Sequence, residues 1–339
     1  TLFPYTTLFR SLLHDAKIDA HYFEKLFFST ELLQQQQQST HFEKVKRHFG
    51  GCVFVVCDPR SFLHRFGDHH HSANYHTDAA SDYRHSYHHL WHTLFHDSLK
   101  NQQHNNSNFK MAFALGIHPH YASQYTPAVE KILLQHAPFA NAWGECGLDY
   151  HYTLSPRDVQ LQVFERQLQL AVENSTKSNT NKAIVIHTRE ADADMLQMLK
   201  KKVPKDQKMH IHCFTDTREF ASDLLKNFEN AYIGFTGICT YGSAKNVQQL
   251  VKEVVPLERM LLETDGPYLP AQYSAPSASN NKKQAKKGAL QEAEEKPQKK
   301  VKAIAHCAHA FAVAQKIASL KQFSVAKVLE QTRQNAEHV

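Results

Sequence analysis

The chain has 339 residues, of which 42% are hydrophobic, and this is enough to bury one large core or two smaller cores. No run of about 18 apolar residues occurs, so the sequence predicts no transmembrane helix and no membrane partner. The formal net charge of +6 is mildly basic. Such a charge is compatible with a phosphate-rich partner, but many ordinary soluble proteins reach it, so composition argues against a membrane protein without selecting a function.

The cysteines show neither a CxxC pair nor the close spacing of a small disulfide framework. Several lie inside apolar runs, so we expect buried free thiols in a reducing compartment. No targeting signal is visible, and a cytoplasmic location is therefore expected. The six cysteines are Cys52, Cys57, Cys146, Cys213, Cys239 and Cys307.

The first eleven residues, TLFPYTTLFRS, lack the basic, apolar and small-residue regions of a standard signal peptide. They resemble the translated sequence of a common sequencing adapter. We interpret residues 1–11 as non-native sequence that replaces a lost native start. Residues 12–339 are then expected to form a single barrel domain.

Short β-rich apolar runs alternate with longer amphipathic segments along the chain. Because apolarity in these runs is continuous and does not alternate, both faces of each strand are expected to be covered, as in a parallel sheet. The predicted strands are Gly51–Cys57, Met111–His118, Ala142–Tyr150, Ala183–Thr188, Met209–Phe214, Tyr232–Cys239 and Met260–Thr264.

Between the strands, helical spacing of apolar residues is clearest in Pro156–Ala171. Ser155 and Pro156 are a start signal for this helix. Two closing helices are predicted over about Val301–Leu320 and Ser324–Ala336. Seven strand–helix units are visible, whereas a closed barrel of this type has eight. We therefore predict an α/β fold, a TIM-type (β/α)8 barrel whose first strand is missing, since Ile18–Leu33 has a helical pattern.

Two regions are low in complexity. Residues 64–106 are rich in histidine and are expected to form a polar-biased loop that leads into a surface helix. Residues 272–300 contain almost no large apolar side chains and are expected to be a disordered or loosely helical insertion. Lysines in this insertion could attract a nucleic-acid backbone, although a solvated charge run in a linker fits the composition better. These lysines are Lys282, Lys283, Lys286 and Lys287.

Polar groups that can bind a metal lie in or directly after five of the seven predicted strands. Barrel enzymes place their active sites at the C-terminal ends of the strands, and imidazoles with carboxylates suit zinc, manganese or magnesium. One histidine after a strand is unremarkable in a chain with 25 histidines, but five positions at one topological level are hard to explain by chance. The residues are His118, His120, Glu145, His187, His212 and Asp265.

Six sequence blocks resemble, in order, the signature blocks of the TatD family of metal-dependent deoxyribonucleases. They are GIHPHYA, GECGLDY, QVFERQLQLA, IHTRE, HCFTD and LLETDGPYL. The resemblance spans about Gly51 to Leu269 and resumes at the C-terminal QTRQNAEHV. Each block alone would be weak evidence, whereas the ordered set is specific.

The resemblance implies a site for two divalent metal ions, Mg, Mn or Zn, in which Glu145 bridges both. His187 and His212 would hold one ion, and Asp265 would contact the other ion and the attacking water. His118 would face a substrate phosphate. Glu145, Asp265 and His118 therefore carry the implied catalysis.

Three further residues lie in matching blocks. His120 and Arg189 are assigned to the substrate side of the site. The sequence leaves open whether these two residues, and Asp149, instead orient the metal ligands or serve in packing.

One departure from the family pattern concerns its opening Asp-x-His-x-His element, which has no complete copy here. The nearest fragment contains Asp19 and His21, but Phe23 stands where the second histidine should be. We expect Asp19 and His21 to belong to the following helix, so the chain as written should not assemble the full site. The 272–300 insertion is a second departure, which puts substrate contacts from that loop in doubt.

The implied activity is exonucleolytic hydrolysis of DNA phosphodiester bonds, often from 3′ ends, with DNA as the partner. The sequence does not indicate an oligomeric state. Two alternatives stay open: a metal-dependent barrel hydrolase of a non-nucleic-acid ester or amide, and an inactive truncated barrel that acts as a binding module.

Overall fold

The computed structural model describes residues 51–58, 110–178, 180–266, 268–272, 305 and 309–339. Its seven strands form one parallel sheet in which each strand pairs with the next along the chain. The strands are β1 (Gly51–Val56), β2 (Lys110–Leu115), β3 (Ala142–Asp149), β4 (Ala183–Arg189), β5 (Met209–His212), β6 (Ala231–Phe235) and β7 (Met260–Leu262).

Helices follow the strands as a repeated β/α unit requires. They are α1 (Pro127–His136), α2 (Arg157–Ser178), α3 (Asp192–Lys202), α4 (Arg218–Asn227), α5 (Lys245–Gln249), α6 (His309–Lys321) and α7 (Val325–His338). A 3-10 turn, Pro119–Gln124, follows β2 and begins at His118 as its N-cap. No helix in the described part of the chain is long and apolar enough to span a bilayer.

The two faces of the sheet are both buried, and β4 shows how. Ile184 and Ile186 belong to the large core packed between sheet and helices, whereas Val185 belongs to a separate small cluster with Val55 and Ala114. Since side chains alternate along a strand, His187 lies on the same face as Val185. The continuous apolar pattern of the strands is thus explained by one core on each side of the sheet.

All seven predicted strands are present, and their parallel order is confirmed. Several end earlier than predicted, because backbone pairing stops before the apolar run does: Ile117 and Phe214, for example, are buried but lie beyond the ends of β2 and β5. The helix predicted to end at Ala171 extends as α2 to Ser178, and the last helix begins after Ser324, its N-cap.

Several predictions fall outside the described residues and stay predictions. They concern residues 1–11, the domain limits 12–339, Ile18–Leu33 with Asp19, His21 and Phe23, residues 64–106, the insertion after Gln272 with its four lysines, and the side chains of Cys52 and Cys307. Of the other cysteines, Cys57, Cys146 and Cys239 are buried free thiols as predicted, whereas Cys213 is only partly buried.

Candidate metal centre

The carboxylate of Glu145 lies at the centre of the site. The β3–β4 register shifts between Gly144 and Cys146, so Glu145 is the extra residue of a β-bulge, a feature that re-aims side chains next to active sites. Its side chain is almost fully buried, and its Oε1 atom lies 2.7 Å from His187 Nδ1. The same oxygen is 3.8 Å from His118 Nε2 and 3.8 Å from His212 Nε2.

Strand pairing brings the two histidines together. His187 and His212 are register partners on β4 and β5, so both imidazoles emerge at the same level of the sheet. The close packing of β3 against β4 at this point requires a glycine, since a Cβ on Gly147 would lie 1.9 Å from the His187 carbonyl oxygen. A larger residue there would push the two strands apart.

Asp265 completes the group from the turn after β7. Its Oδ1 atom lies 3.5 Å from His212 Nε2, and its side chain is partly exposed. Its backbone φ of 42° lies in the left-handed region, as do those of Cys213 (46°) and Glu190 (55°), which follow β5 and β4. Such strained positions occur where the surrounding structure fixes a functional geometry.

Asp149 orients His187 by contacting the ring nitrogen opposite the one that faces Glu145. Its Oδ2 atom is 3.1 Å from His187 Nε2 and 2.8 Å from His120 Nε2, so His187 presents Nδ1 to Glu145. Backbone N–H groups of His151 and Tyr152 donate to the other carboxylate oxygen. Burial raises the pKa of Asp149, but these hydrogen bonds outweigh it and hold the pKa well below its usual range.

Glu263 performs the equivalent role for His212. Its buried carboxylate contacts Nδ1 of His212, lies 2.5 Å from His210 Nε2 and accepts a hydrogen bond from the backbone N–H of Cys213. Burial raises the pKa of Glu263, but the two imidazoles outweigh it and lower the pKa below its usual range. His212 therefore turns Nε2, the opposite nitrogen from that of His187, toward Glu145 and Asp265.

The protonation of His212 depends on the carboxylates around it. Burial lowers its pKa, but the charges of Glu263 and Glu145 and a hydrogen bond to Asp265 raise it well above the usual value. A cation between these groups would take the place of that proton, because a bound metal reverses the local electrostatics.

His118 is fully buried and has an unsatisfied ring nitrogen. Its Nδ1 accepts a hydrogen bond from the backbone N–H of His120, so in the neutral ring the proton lies on Nε2. Within the described residues Nε2 has no hydrogen-bond partner, although leaving such a group buried costs about 1–3 kcal/mol. This orphaned donor is consistent with a ligand that fills the space beside Glu145.

The donor set fits a divalent cation. Nitrogen and oxygen atoms of His118, Glu145 and His187 all lie within 4.8 Å of one another, and the potential ligand atoms of His212, Cys213 and Asp265 do the same. A third group with this spacing comprises His210, His212 and Glu263. Buried carboxylates beside imidazoles are the ligands that zinc or manganese prefers.

The structure thus brings together Glu145, His187, His212, Asp265 and His118, as the sequence predicts, and places His120 one contact away through Asp149. Arg189 lies outside the cluster, because its guanidinium packs over the ring of Tyr152. Sequence reasoning missed Glu263 and His210. Their signal was spacing, since each lies two residues before a candidate ligand, Asp265 or His212.

Parallel strands that gather histidines and carboxylates at their carboxyl ends define a metal-binding α/β barrel. The chain belongs to the TatD related DNase family, whose model matches residues 32–339.

Curated relatives match about half of the chain. It is 48% identical over 163 residues to the human protein named 3'-5' RNA nuclease TATDN2, covering 47% of this chain and 20% of that protein. It is 39% identical to the Bacillus subtilis (strain 168) uncharacterized metal-dependent hydrolase YabD, covering 46% and 58%. For the Erwinia tasmaniensis 3'-5' ssDNA/RNA exonuclease TatD, the identity is 36% and the coverages are 45% and 57%. The matched segments therefore span less than two thirds of each of these relatives.

Two solved structures share the fold of this chain. A TatD family hydrolase from Entamoeba histolytica gives a TM-score of 0.60 at 19% identity, with 99% of this chain and 98% of that chain covered. An uncharacterized amidohydrolase from Saccharomyces cerevisiae gives 0.66 at 15% identity, with 100% and 99% covered. The predicted fold class, a TIM-type α/β barrel, is confirmed.

Proposed function

We propose that this protein is a metal-dependent hydrolase of phosphodiester bonds in single-stranded nucleic acid that releases nucleotides from the 3′ end. The observation that carries the proposal is the position of Glu145 Oε1, within 3.8 Å of imidazole nitrogens from three different residues. Family membership and the names of the relatives support a nuclease over other metal-dependent hydrolases.

Two divalent ions are proposed as the cofactors. Glu145, His187 and His212 would hold one ion, and Glu145 with Asp265 would contribute to the other, for which this sequence carries no complete Asp-x-His-x-His element. Bound here, a divalent ion supplies a Lewis acid that polarises the phosphoryl oxygen and promotes ionisation of the attacking water. The remaining chemistry belongs to the protein side chains.

Asp265 is the proposed proton acceptor for the attacking water. It is the most exposed carboxylate of the cluster, so water and substrate can reach it, and it lies 3.5 Å from His212 Nε2. His118 is the proposed donor to a non-bridging phosphate oxygen, since its Nε2–H is buried and unpaired beside Glu145. An N–H fixed in a water-poor site stabilises charge that develops on such an oxygen.

DNA is the substrate we propose first, with RNA as the second candidate. The human relative is named an RNA nuclease, and the Erwinia relative is named for both ssDNA and RNA. The site residues described above would contact a phosphodiester in either polymer in the same way. Matched DNA and RNA oligonucleotides distinguish the two candidates.

The test uses matched single-stranded DNA and RNA oligonucleotides carrying a fluorophore at the 5′ end, with Mg²⁺, Mn²⁺ or Zn²⁺ added in turn. A ladder that shortens one nucleotide at a time from the 3′ end is expected, and Glu145→Ala should abolish it. Glu253→Ala, at an exposed carboxylate paired with Arg218, is the control and should retain full activity.

Two outcomes would contradict the proposal. Activity that survives Glu145→Ala would indicate a contaminating nuclease or a different site. Hydrolysis of small esters or amides in a parallel panel, with no cleavage of either polymer, would favour a metal-dependent hydrolase of another substrate class.

A further inference from the structure

An exposed aromatic side chain lies beside the metal centre. Tyr152 follows β3 in the loop that leads to α2, and 47% of its surface is exposed. The guanidinium carbon of Arg189, the last residue of β4, lies 4.8 Å from the centroid of the Tyr152 ring. Neither residue takes part in the metal cluster, so neither is used by the mechanism proposed above.

The position of Tyr152 is fixed by the same carboxylate that orients His187. Asp149 Oδ1 accepts a hydrogen bond of 2.9 Å from the backbone N–H of Tyr152, and Asp149 Oδ2 lies 3.1 Å from His187 Nε2. The rings of Tyr152 and His120 have centroids 5.6 Å apart. One residue therefore connects the Tyr152 backbone to a candidate metal ligand.

The Arg189 guanidinium lies over one face of the Tyr152 ring, so a base would stack on the opposite face. The imidazoles of His120 and His151 stand at 89° and 90° to the Tyr152 ring, so neither is stacked on it. A half-exposed ring also adds little to the core, which in this part of the chain is formed by Leu148 and Phe164. A half-exposed aromatic on a loop beside a candidate active site is a position where ligand contacts are common.

The distribution of charged side chains around the site indicates where the backbone of a nucleic acid would lie. A groove of about 700 Å³ opens after β4 and β5, and four acidic residues line it with a single cation, Arg218: Glu190, Asp192, Asp216 and Glu219. Phosphates would be repelled there. At Tyr152, by contrast, the Arg189 guanidinium over the ring supplies positive charge.

We propose that Tyr152, backed by Arg189, is a nucleobase platform that stacks a base of a single-stranded nucleic acid and so positions the scissile phosphate at the metal centre. This inference rests on the proposed function. Stacking on an aromatic side chain tolerates every base because each has a π face, and an arginine beside the ring attracts the adjoining phosphate. The platform would thus select for nucleic acid without selecting a sequence.

The experiment compares oligonucleotides that differ only in one base. Single abasic residues are placed at each of the three 3′-terminal positions, and binding is measured by fluorescence anisotropy alongside hydrolysis. Tyr152→Ala should weaken binding and raise KM for the intact oligonucleotide by about tenfold, with kcat changed less than twofold. Tyr152→Phe and Tyr152→Trp should retain wild-type values.

A double-mutant cycle isolates the stacking contact. At one abasic position, wild type and Tyr152→Ala should bind equally, because the base that the ring contacts is absent. Phe139→Ala is the matched control: this aromatic is 53% exposed but precedes β3, away from the carboxyl ends of the strands, and its removal should change nothing. Thermal melts should show all variants folded, since both rings are exposed.

The two proposals fail in different ways. If the wild-type protein binds the oligonucleotide in a base-dependent manner that Tyr152→Ala removes, but does not hydrolyse it, the platform stands and the nuclease proposal falls. If the protein hydrolyses the oligonucleotide and Tyr152→Ala weakens intact and abasic substrates equally, or leaves both unchanged, the platform is wrong. An absence of any oligonucleotide binding would overturn both.

Discussion

The carboxylate of Glu263 contacts Nδ1 of His212, and it simultaneously contacts Nε2 of His210. Asp149 makes the mirror arrangement with His187, holding Nε2 so that Nδ1 faces Glu145. Two buried carboxylates therefore fix opposite ring nitrogens of the two candidate metal ligands. Such orienting contacts commonly change metal affinity by 10–100-fold.

Replacing Glu263 tests this orienting role directly. Glu263→Gln keeps the shape but offers His212 a neutral partner, so we expect the affinity for Mn²⁺ or Zn²⁺ to fall by about 10–100-fold. Isothermal titration calorimetry on the metal-free protein measures this affinity. Glu253→Gln, at the exposed pair with Arg218, should bind metal normally. Unchanged affinity in Glu263→Gln would contradict the role.

The lack of free space around the Glu263 carboxylate leads to a second prediction. A Cβ on Gly234 would lie 1.2 Å from Glu263 Oε1 and 2.7 Å from His210 Nε2, so Gly234→Ala should displace the carboxylate. We expect a loss of about 1–3 kcal/mol in the free energy of unfolding and weaker metal binding. Gly242→Ala, where a Cβ meets nothing within 4 Å, is the control. Equal stabilities of both variants in urea denaturation would refute the argument.

Replacing His118 distinguishes a contact with the substrate phosphate from ligation of a metal ion. If Nε2–H donates to the substrate phosphate, His118→Gln should lower kcat by about 10²-fold or more while metal affinity stays within twofold. His136→Gln, on α1, should leave both unchanged. A large fall in metal affinity for His118→Gln would instead make it a ligand, together with Glu145 and His187.

The ion pair between Arg166 and Glu130, which are not members of the metal cluster, leads to a prediction about the pH dependence of stability. Arg166 donates to both oxygens of Glu130, at 2.5 Å and 3.0 Å, and joins α2 to α1. The Arg166 hydrogen bond lowers the pKa of Glu130, so the stabilisation is complete above its unfolded pKa of about 4.3 and is lost as the pH falls through the lower folded value.

Glu130→Gln should therefore lower the free energy of unfolding by up to about 1 kcal/mol at pH 7. The difference from wild type should shrink progressively in melts at pH 5, 4 and 3. A difference that grew toward acid pH would have the wrong sign for a carboxylate with a lowered pKa.

The strands could be predicted from the sequence because their signal is local. Continuous apolar runs such as Ala183–Thr188 occur where both faces are buried, and this property needs no knowledge of the partner strand. The candidate ligands could be predicted for a related reason. The carboxyl ends of parallel strands lie at the same edge of a sheet, so His187, near the end of β4, and His212, at the end of β5, were expected to lie close together.

The sequence by itself determined which residue types lie at the carboxyl ends of the strands. Only the tertiary structure decided which ring nitrogen each histidine presents, that Glu263 and Asp149 hold those rings, and that Arg189 packs on Tyr152 outside the cluster. These relationships join residues that are far apart in the chain, His212 and Glu263 among them. They depend on distances of a few ångströms that spacing along the chain does not encode.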